Sequence, residues 1–315
     1  MQTPILSLNK VGKEYKKVHA IKSINLELQQ GEVLGLFGHN GAGKTTMMKL
    51  ILGVISPTHG CVNVMGMAPD SKEAWHIRKK VGYLPENVSF YDQLTGLEVI
   101  NYFAKLKGFS NKTGKTQTTD LLEQVGIMHA MNRPVKTYSK GMRQRLGLAQ
   151  AFIGQPKLLL LDEPTVGLDP IATQEFYQSV DQLKAQGSSI ILCSHVLPGV
   201  ERHIDRAMIL SSGNMLATGT LSELRSKANL PISISPQGIN GFACLDNKLK
   251  HFISNDQQTL LVPEQEKLSV LKQLINLDDL TDISVESASL EKLYQHYLTL
   301  GKENKTTSES KELKQ

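Results

Sequence analysis

Cysteine is scarce in this sequence. Cys61, Cys193 and Cys244 lie far apart and lack CxxC spacing. That argues against a disulfide framework and suggests a reducing compartment. Cys193 ends the apolar run "SSIILC" and reads as a small buried hydrophobe. Aromatic residues make up only 5% of the 315 residues. No apolar run approaches the roughly 20 residues that span a bilayer. The start, "MQTPILSLNK", lacks the charged head and apolar core of a signal peptide. A cytoplasmic chain is expected, with any membrane role reached through a partner. The net charge of +5 is mild. It permits a weak attraction to anionic lipid or nucleic acid, or a solvated surface with neither, but it is not the concentrated basic stripe of a DNA binder, and the expectation is no nucleic-acid partner. Hydrophobic residues at 40% and charged residues at 21% are those of an ordinary globular protein with ample core.

What is present alternates. "ILSLNKV" and "INLEL" switch between apolar and polar residues, as half-buried antiparallel strands do. "EVLGLF" is a nearly continuous apolar run that feeds a glycine-rich turn, the pattern of a central buried strand. Short runs at "CVNVM", "VGYL", "KLLLLD", "SSIILC" and "AMILS" follow, mostly separated by helical segments. That rhythm predicts an α/β fold with a largely parallel sheet. A helical insert spans about 87–150, and inside it "GFSNKTGKTQTTD" reads as a polar surface loop. "NLPISISPQGING" reads as a boundary, followed by a small α+β domain over 225–300. The stretch 301–315 is too polar to fold alone and is expected to be a disordered tail.

Three elements carry chemistry. "GHNGAGKT", Gly38 to Thr45, matches the phosphate-cradling loop G-x-x-x-x-G-K-[ST] between a strand and the apolar helix "MMKLILG". Its glycines admit phosphate to backbone N–H groups, Lys44 reaches the β- and γ-phosphates, and the Thr45 hydroxyl binds Mg²⁺. In "LLLLDEP", Asp162 is a second Mg²⁺ ligand and Glu163 the general base for an attacking water. His195, in "LCSHV" after the next strand, is placed to hydrogen-bond the γ-phosphate. Tyr15, ahead of the loop, is a ring that stacks on adenine. Met47, Met48, Met65 and Met67 read as core filler rather than a copper site.

Together with the "VGLDP" segment, these motifs resemble the ATP-binding cassette family over roughly residues 5 to 224. The resemblance implies an ABC-type P-loop nucleotide-binding domain over 1–224, with a RecA-like core, an antiparallel β subdomain and a helical subdomain. It implies ATP and Mg²⁺ as cofactors. It places His39, Asn40, Gly41, Ala42, Gly43 and Thr46 at the nucleotide beside Gly38, Lys44 and Thr45. "YSKGMRQR" takes the position of the family signature, so Ser139, Lys140, Gly141 and Met142 face the γ-phosphate of ATP held by a second copy of the chain. Asp169 falls on the segment that couples the two sites, and Glu86 takes the place of a glutamine at Mg²⁺ and water. Tyr138, Lys140 and Met142 depart from the usual Leu-Ser-Gly-Gly-Gln. The partners implied are a second copy and a multi-spanning permease, at the cytoplasmic face of the cell membrane. "FGHNGAGKTT", "LPENVSFY", "VGLDPIATQ" and "LCSHVLPGVE" look like the cassette ATPase of nitrous oxide reductase maturation, which serves copper or sulfur supply to a periplasmic enzyme. A periplasmic accessory protein, reached through the permease, belongs to that likeness.

Overall fold

A computed structural model describes residues 3–16, 18–109, 111–238, 247–254, 259–277 and 279–312. Its chain divides into two compact units, Met1–Thr218 and Gly219–Gln315. The first unit opens with β1 (Leu6–Tyr15), β2 (Val18–Leu28), β3 (Val33–Phe37), α1 (Lys44–Ile51) and β4 (His59–Val64). It continues with α2 (Trp75–Arg78), β5 (Val81–Leu84), α3 (Gly96–Leu106), α4 (Asn111–Gln124) and α5 (Lys140–Phe152). It closes with β6 (Leu158–Asp162), α6 (Pro170–Ala185), β7 (Ser189–Ser194), β8 (Arg206–Ser211) and β9 (Asn214–Gly219).

Two sheets result. The antiparallel one has the order β2-β1-β4, and the other the order β5-β6-β7-β3-β8-β9. In the second, β5, β6, β7, β3 and β8 pair in parallel. Every residue of β3, β6 and β7 is buried, which is why these strands read as unbroken apolar runs rather than alternations. "CVNVM" shares their short apolar pattern, yet it forms β4 of the antiparallel sheet. Only its partner β1, not its composition, decides that. Met47 and Met48 are fully buried, and Met65 and Met67 pack against the same core cluster. Cys193 is buried, and burial pushes its thiol well up. Cys61 is exposed, and Cys244 lies outside the described residues.

The "GFSNKTGKTQTTD" stretch is not a loop but most of α4. Packing on α3 overrides its polar composition: Thr118 is buried, and its hydroxyl donates to Asn101 Oδ1 at 3.1 Å. Just beyond α3, Lys107 donates from Nζ to the Ile153 carbonyl at 3.0 Å, and burial pushes its ammonium down to about 8. An unfolded chain keeps this proton to about pH 10.4. Between those values the unfolded state binds more protons, so stability should rise with pH across that window. Relative to Lys107→Met, the protein is expected to gain about 2 kcal/mol from pH 8 to 10 by denaturant unfolding. Parallel pH profiles for the two proteins would refute the assignment.

The second unit holds α7 (Leu221–Ala228), β10 (Ile232–Gln237), α8 (Asn247–Lys250), β11 (Leu260–Val262), α9 (Lys267–Ile275), β12 (Asp282–Glu286) and α10 (Leu290–Glu312). Its three strands form an antiparallel sheet of order β11-β10-β12. The stretch expected to be a boundary thus supplies the central strand, because Ile232 and Ile234 alternate inward and are buried. The division falls at Thr218/Gly219 instead of after residue 224. The tail expected to be disordered continues α10 to Glu312. Leu290 and Leu293 are buried at its start, and a helix once nucleated propagates through Lys and Glu at little cost. No helix among the described residues is long and apolar enough to cross a membrane.

Candidate functional site: a nucleotide cleft and a separate helix start

The parallel strands bring the candidate residues to one edge, since the phosphate loop follows β3, Glu86 follows β5, Asp162 ends β6 and His195 follows β7. A cleft of about 1020 Å³ opens there. Its walls include Tyr15, His39, Asn40, Gly41, Gly43, Lys44, Thr45, Thr46, Glu86, Asp162, Glu163 and His195. Gly38 and Ala42, also expected at the nucleotide, do not line it. They shape the loop from behind. A Cβ on Gly38 would stand 2.7 Å from the Leu210 carbonyl oxygen and 2.8 Å from the Ala42 Cβ. Ala42 is buried, and its N–H is spent on the His39 carbonyl at 3.0 Å. Gly43 sits at φ 112° before the first residue of α1, in a conformation closed to side chains. The start of α1 presents free N–H groups and the positive end of its dipole to the cleft.

Lys44 is buried, and its Nζ donates to the Gly38 carbonyl at 2.5 Å and stands 4.0 Å from Glu163 Oε1. Thr45 Oγ1 donates to Asp162 Oδ2 at 3.3 Å. Burial raises the Asp162 carboxyl above its ordinary value, and the Glu163 and Glu86 carboxylates push the same way, against the Thr45 hydrogen bond and the Lys44 charge. Glu163 has φ 52°, a left-handed backbone that costs a non-glycine residue energy. That turn, held by the Glu163 N–H on the Cys193 carbonyl at 3.0 Å, aims the carboxylate into the cleft. Glu163 Oε2 accepts from the His195 backbone N–H at 3.1 Å and lies 2.6 Å from His195 Nδ1. An ionised carboxylate can only accept, so Nδ1 carries the hydrogen. Nε2 of a ring whose side chain is 57% exposed is then left for a ligand. Tyr15 is 44% exposed and sits under Lys13, whose Nζ is 5.3 Å from the ring centroid.

Ser139, Gly141, Met142 and Asp169 are not in this cleft. They border a second, smaller hollow of about 250 Å³ with Gly167. Ser139 caps α5, its Oγ accepting from the Met142 N–H at 3.2 Å. Asp169 caps α6 and accepts from the Ala172 N–H at 2.8 Å. Lys140 is exposed at its charged end, but its methylenes pack beside Gly167: a Cβ added to Gly167 would meet Lys140 Cδ and Cε at 3.2 Å. Tyr138 is buried, and its hydroxyl donates to the Ala130 carbonyl at 2.7 Å, so this departure from leucine serves the packing of the helical insert. Gln144 carries no motif in the sequence. It is buried and donates from Nε2 to the Pro164 carbonyl at 3.1 Å, tying α5 to the loop that follows the two acids. A polar residue at the apolar spacing of α5 was its only sequence signal.

A family model described as ABC transporter matches residues 21–166. An uncharacterized ABC transporter ATP-binding protein of Nostoc is 40% identical over 228 residues, covering 72% of this chain and 66% of that protein. A linearmycin resistance ATP-binding protein of Bacillus subtilis is 33% identical, covering 75% and 76%. Among solved structures, the dimeric post-hydrolysis ATP-binding cassette MJ0796 bound to ADP and Pi aligns with a TM-score of 0.64 at 25% identity. It covers 69% of this chain and 98% of that one.

Proposed function

The chain belongs to the ATP-binding subunits of ABC transporters, a family of ATPases whose cassettes dimerise and work with membrane permeases, and from that premise we propose that it closes as a homodimer around two ATP molecules to drive a permease. One observation carries the reading. The cleft with Lys44, Asp162, Glu163 and His195 and the capped start of α5 lie in two separate hollows of one chain, which supports the reading that each is half of a site completed by a second copy.

The phosphates of ATP lie along Gly41 to Thr46, and Lys44 exchanges the Gly38 carbonyl for a phosphate oxygen. Tyr15 stacks on the adenine. The residues present suit Mg²⁺: a Thr45 hydroxyl and the Asp162 and Glu86 carboxylates are hard oxygen donors, and a divalent charge would offset the burial, and the neighbouring carboxylates, that raise Asp162. Bound there, Mg²⁺ supplies charge that offsets the β- and γ-phosphate oxygens. Glu163 takes the proton of the attacking water, the Nδ1–H of His195 holds Glu163 in place, and Nε2 donates to the γ-phosphate in the imidazolium form, in which both ring nitrogens carry hydrogen. The N–H groups at Ser139 and Gly141 receive the γ-phosphate of the partner's ATP, with Lys140 and Met142 beside it, and Asp169 links the two sites. Hydrolysis removes that bridge. Size-exclusion chromatography with ATP should show a dimer, and affinity purification should bring down a multi-spanning permease. A protein that stays monomeric with ATP would sink the closure mechanism.

For the cargo, we propose copper or a sulfur compound for nitrous oxide reductase maturation, with a periplasmic accessory protein beyond the permease. The four segments around the nucleotide site support this. Deleting the gene should leave the reductase short of copper. A normal reductase together with new antibiotic sensitivity would instead favour export of the kind named for the linearmycin resistance relative.

A further inference from the structure

We propose that the exposed ridge formed by Trp75, Arg78 and Lys79, with Lys72 and Lys80 beside it, contacts the headgroups of an anionic lipid surface directly. The chain carries a net charge of +5, and more than half of that excess falls within Lys72 to Lys80, a stretch with four basic residues and one acid. The local fold turns this stretch outward. Ala74 and Ile77 are buried and anchor α2 to the core, whereas Trp75, Arg78 and Lys79 have i, i+3, i+4 spacing and share the opposite, solvent-facing side. Lys72 and Lys80 are exposed as well. None of the four basic side chains forms an ion pair with a carboxylate among the described residues.

Trp75 is 49% exposed, which leaves about half of a large apolar ring to water. Tryptophan flanked by lysine and arginine is the side-chain set that settles at a membrane–water interface, where the ring sits at headgroup level and the cations meet lipid phosphate. Nucleic acid presents phosphate too, but a base would need a free ring face. The Trp75 ring is already engaged by the Lys79 ammonium, 4.8 Å from its centroid, and by the His76 ring at 3.5 Å between centroids. A lipid surface needs no stacking. The contact would add a second attachment to the membrane beside the permease, at the edge where β5 begins rather than at the cleft edge, where it ends before Glu86.

Trp75 is the only tryptophan, so native emission from the full chain reports on this site alone. With vesicles of phosphatidylcholine and phosphatidylglycerol, the emission should shift to the blue and strengthen. Pure phosphatidylcholine should give no shift, and about 1 M salt, where the Debye length is about 3 Å, should reverse it. The Lys79→Ala/Lys80→Ala protein should bind the anionic vesicles about 25-fold more weakly, at about a fivefold loss per cation, with basal ATPase activity unchanged. Three results would overturn the proposal: no shift with anionic vesicles, sedimentation with vesicles without a shift, or quenching of Trp75 by a single-stranded oligonucleotide at concentrations where vesicles do nothing.

Discussion

Glu163→Gln is expected to lower steady-state ATP hydrolysis by about three orders of magnitude while ATP still binds. The amide keeps the size of the carboxylate and an oxygen that accepts from His195 Nδ1, so the 2.6 Å contact has a replacement. What it loses is basicity, and no other carboxylate has the same placement. Asp162 is committed to Thr45 at 3.3 Å. Glu86 approaches from the end of β5 and acts on Asp162 from outside. Because binding survives and hydrolysis does not, the ATP bridge between the two half-sites should persist, and the variant should elute as a dimer with ATP and Mg²⁺. Phosphate release measures the first effect and size-exclusion chromatography the second. A rate within tenfold of the wild type would remove Glu163 from its role as base.

Lys44→Ala is expected to cost about a hundredfold or more in kcat/KM for ATP, with much of the loss in binding. Lys44 is the buried cation of the cleft, set among the Asp162 and Glu163 carboxylates. Removing it withdraws the charge-assisted hydrogen bond to phosphate and leaves two acids and an anionic ligand with one positive charge fewer between them. Lys44→Arg should not rescue it. A side chain this enclosed leaves no room for the wider guanidinium fork. Nucleotide affinity measured by calorimetry separates the binding loss from any loss in turnover. ATP affinity unchanged in Lys44→Ala would contradict the placement.

The lining of the candidate cleft was legible because its parts are local. A strand, a glycine turn and a helix start are contiguous in "EVLGLFGHNGAGKT", so backbone rules alone place these residues together. The acids were legible for a similar reason, as an unbroken apolar strand that ends in Asp162 and Glu163 has its end at a sheet edge. Assignment of each residue within the loop was less complete. Gly38 and Ala42 share the motif with Lys44 but face the core, a distinction set by Leu210 from a strand far along the chain.

Where composition stood in for packing, the sequence misled. The polar run before Leu121 forms a helix because α3 is there to bury Thr118. "PISIS" forms a central strand because two further strands flank it. The departures in the signature were visible as letters, but their explanation depends on residues brought close only by folding: Ala130 for Tyr138 and Gly167 for the stem of Lys140.

The sequence by itself determined the chemistry of this protein: phosphate cradle, acids and histidine, because backbone conformation and ionisation follow from residue type and short spacing. Only the tertiary structure decided the geometry of their use. It set the contact of Glu163 with His195, the tie from Gln144 to Pro164, the separation of the cleft from the hollow at α5 and the outward turn of Trp75. Those depend on burial and on partners distant in the chain, and a linear pattern carries neither.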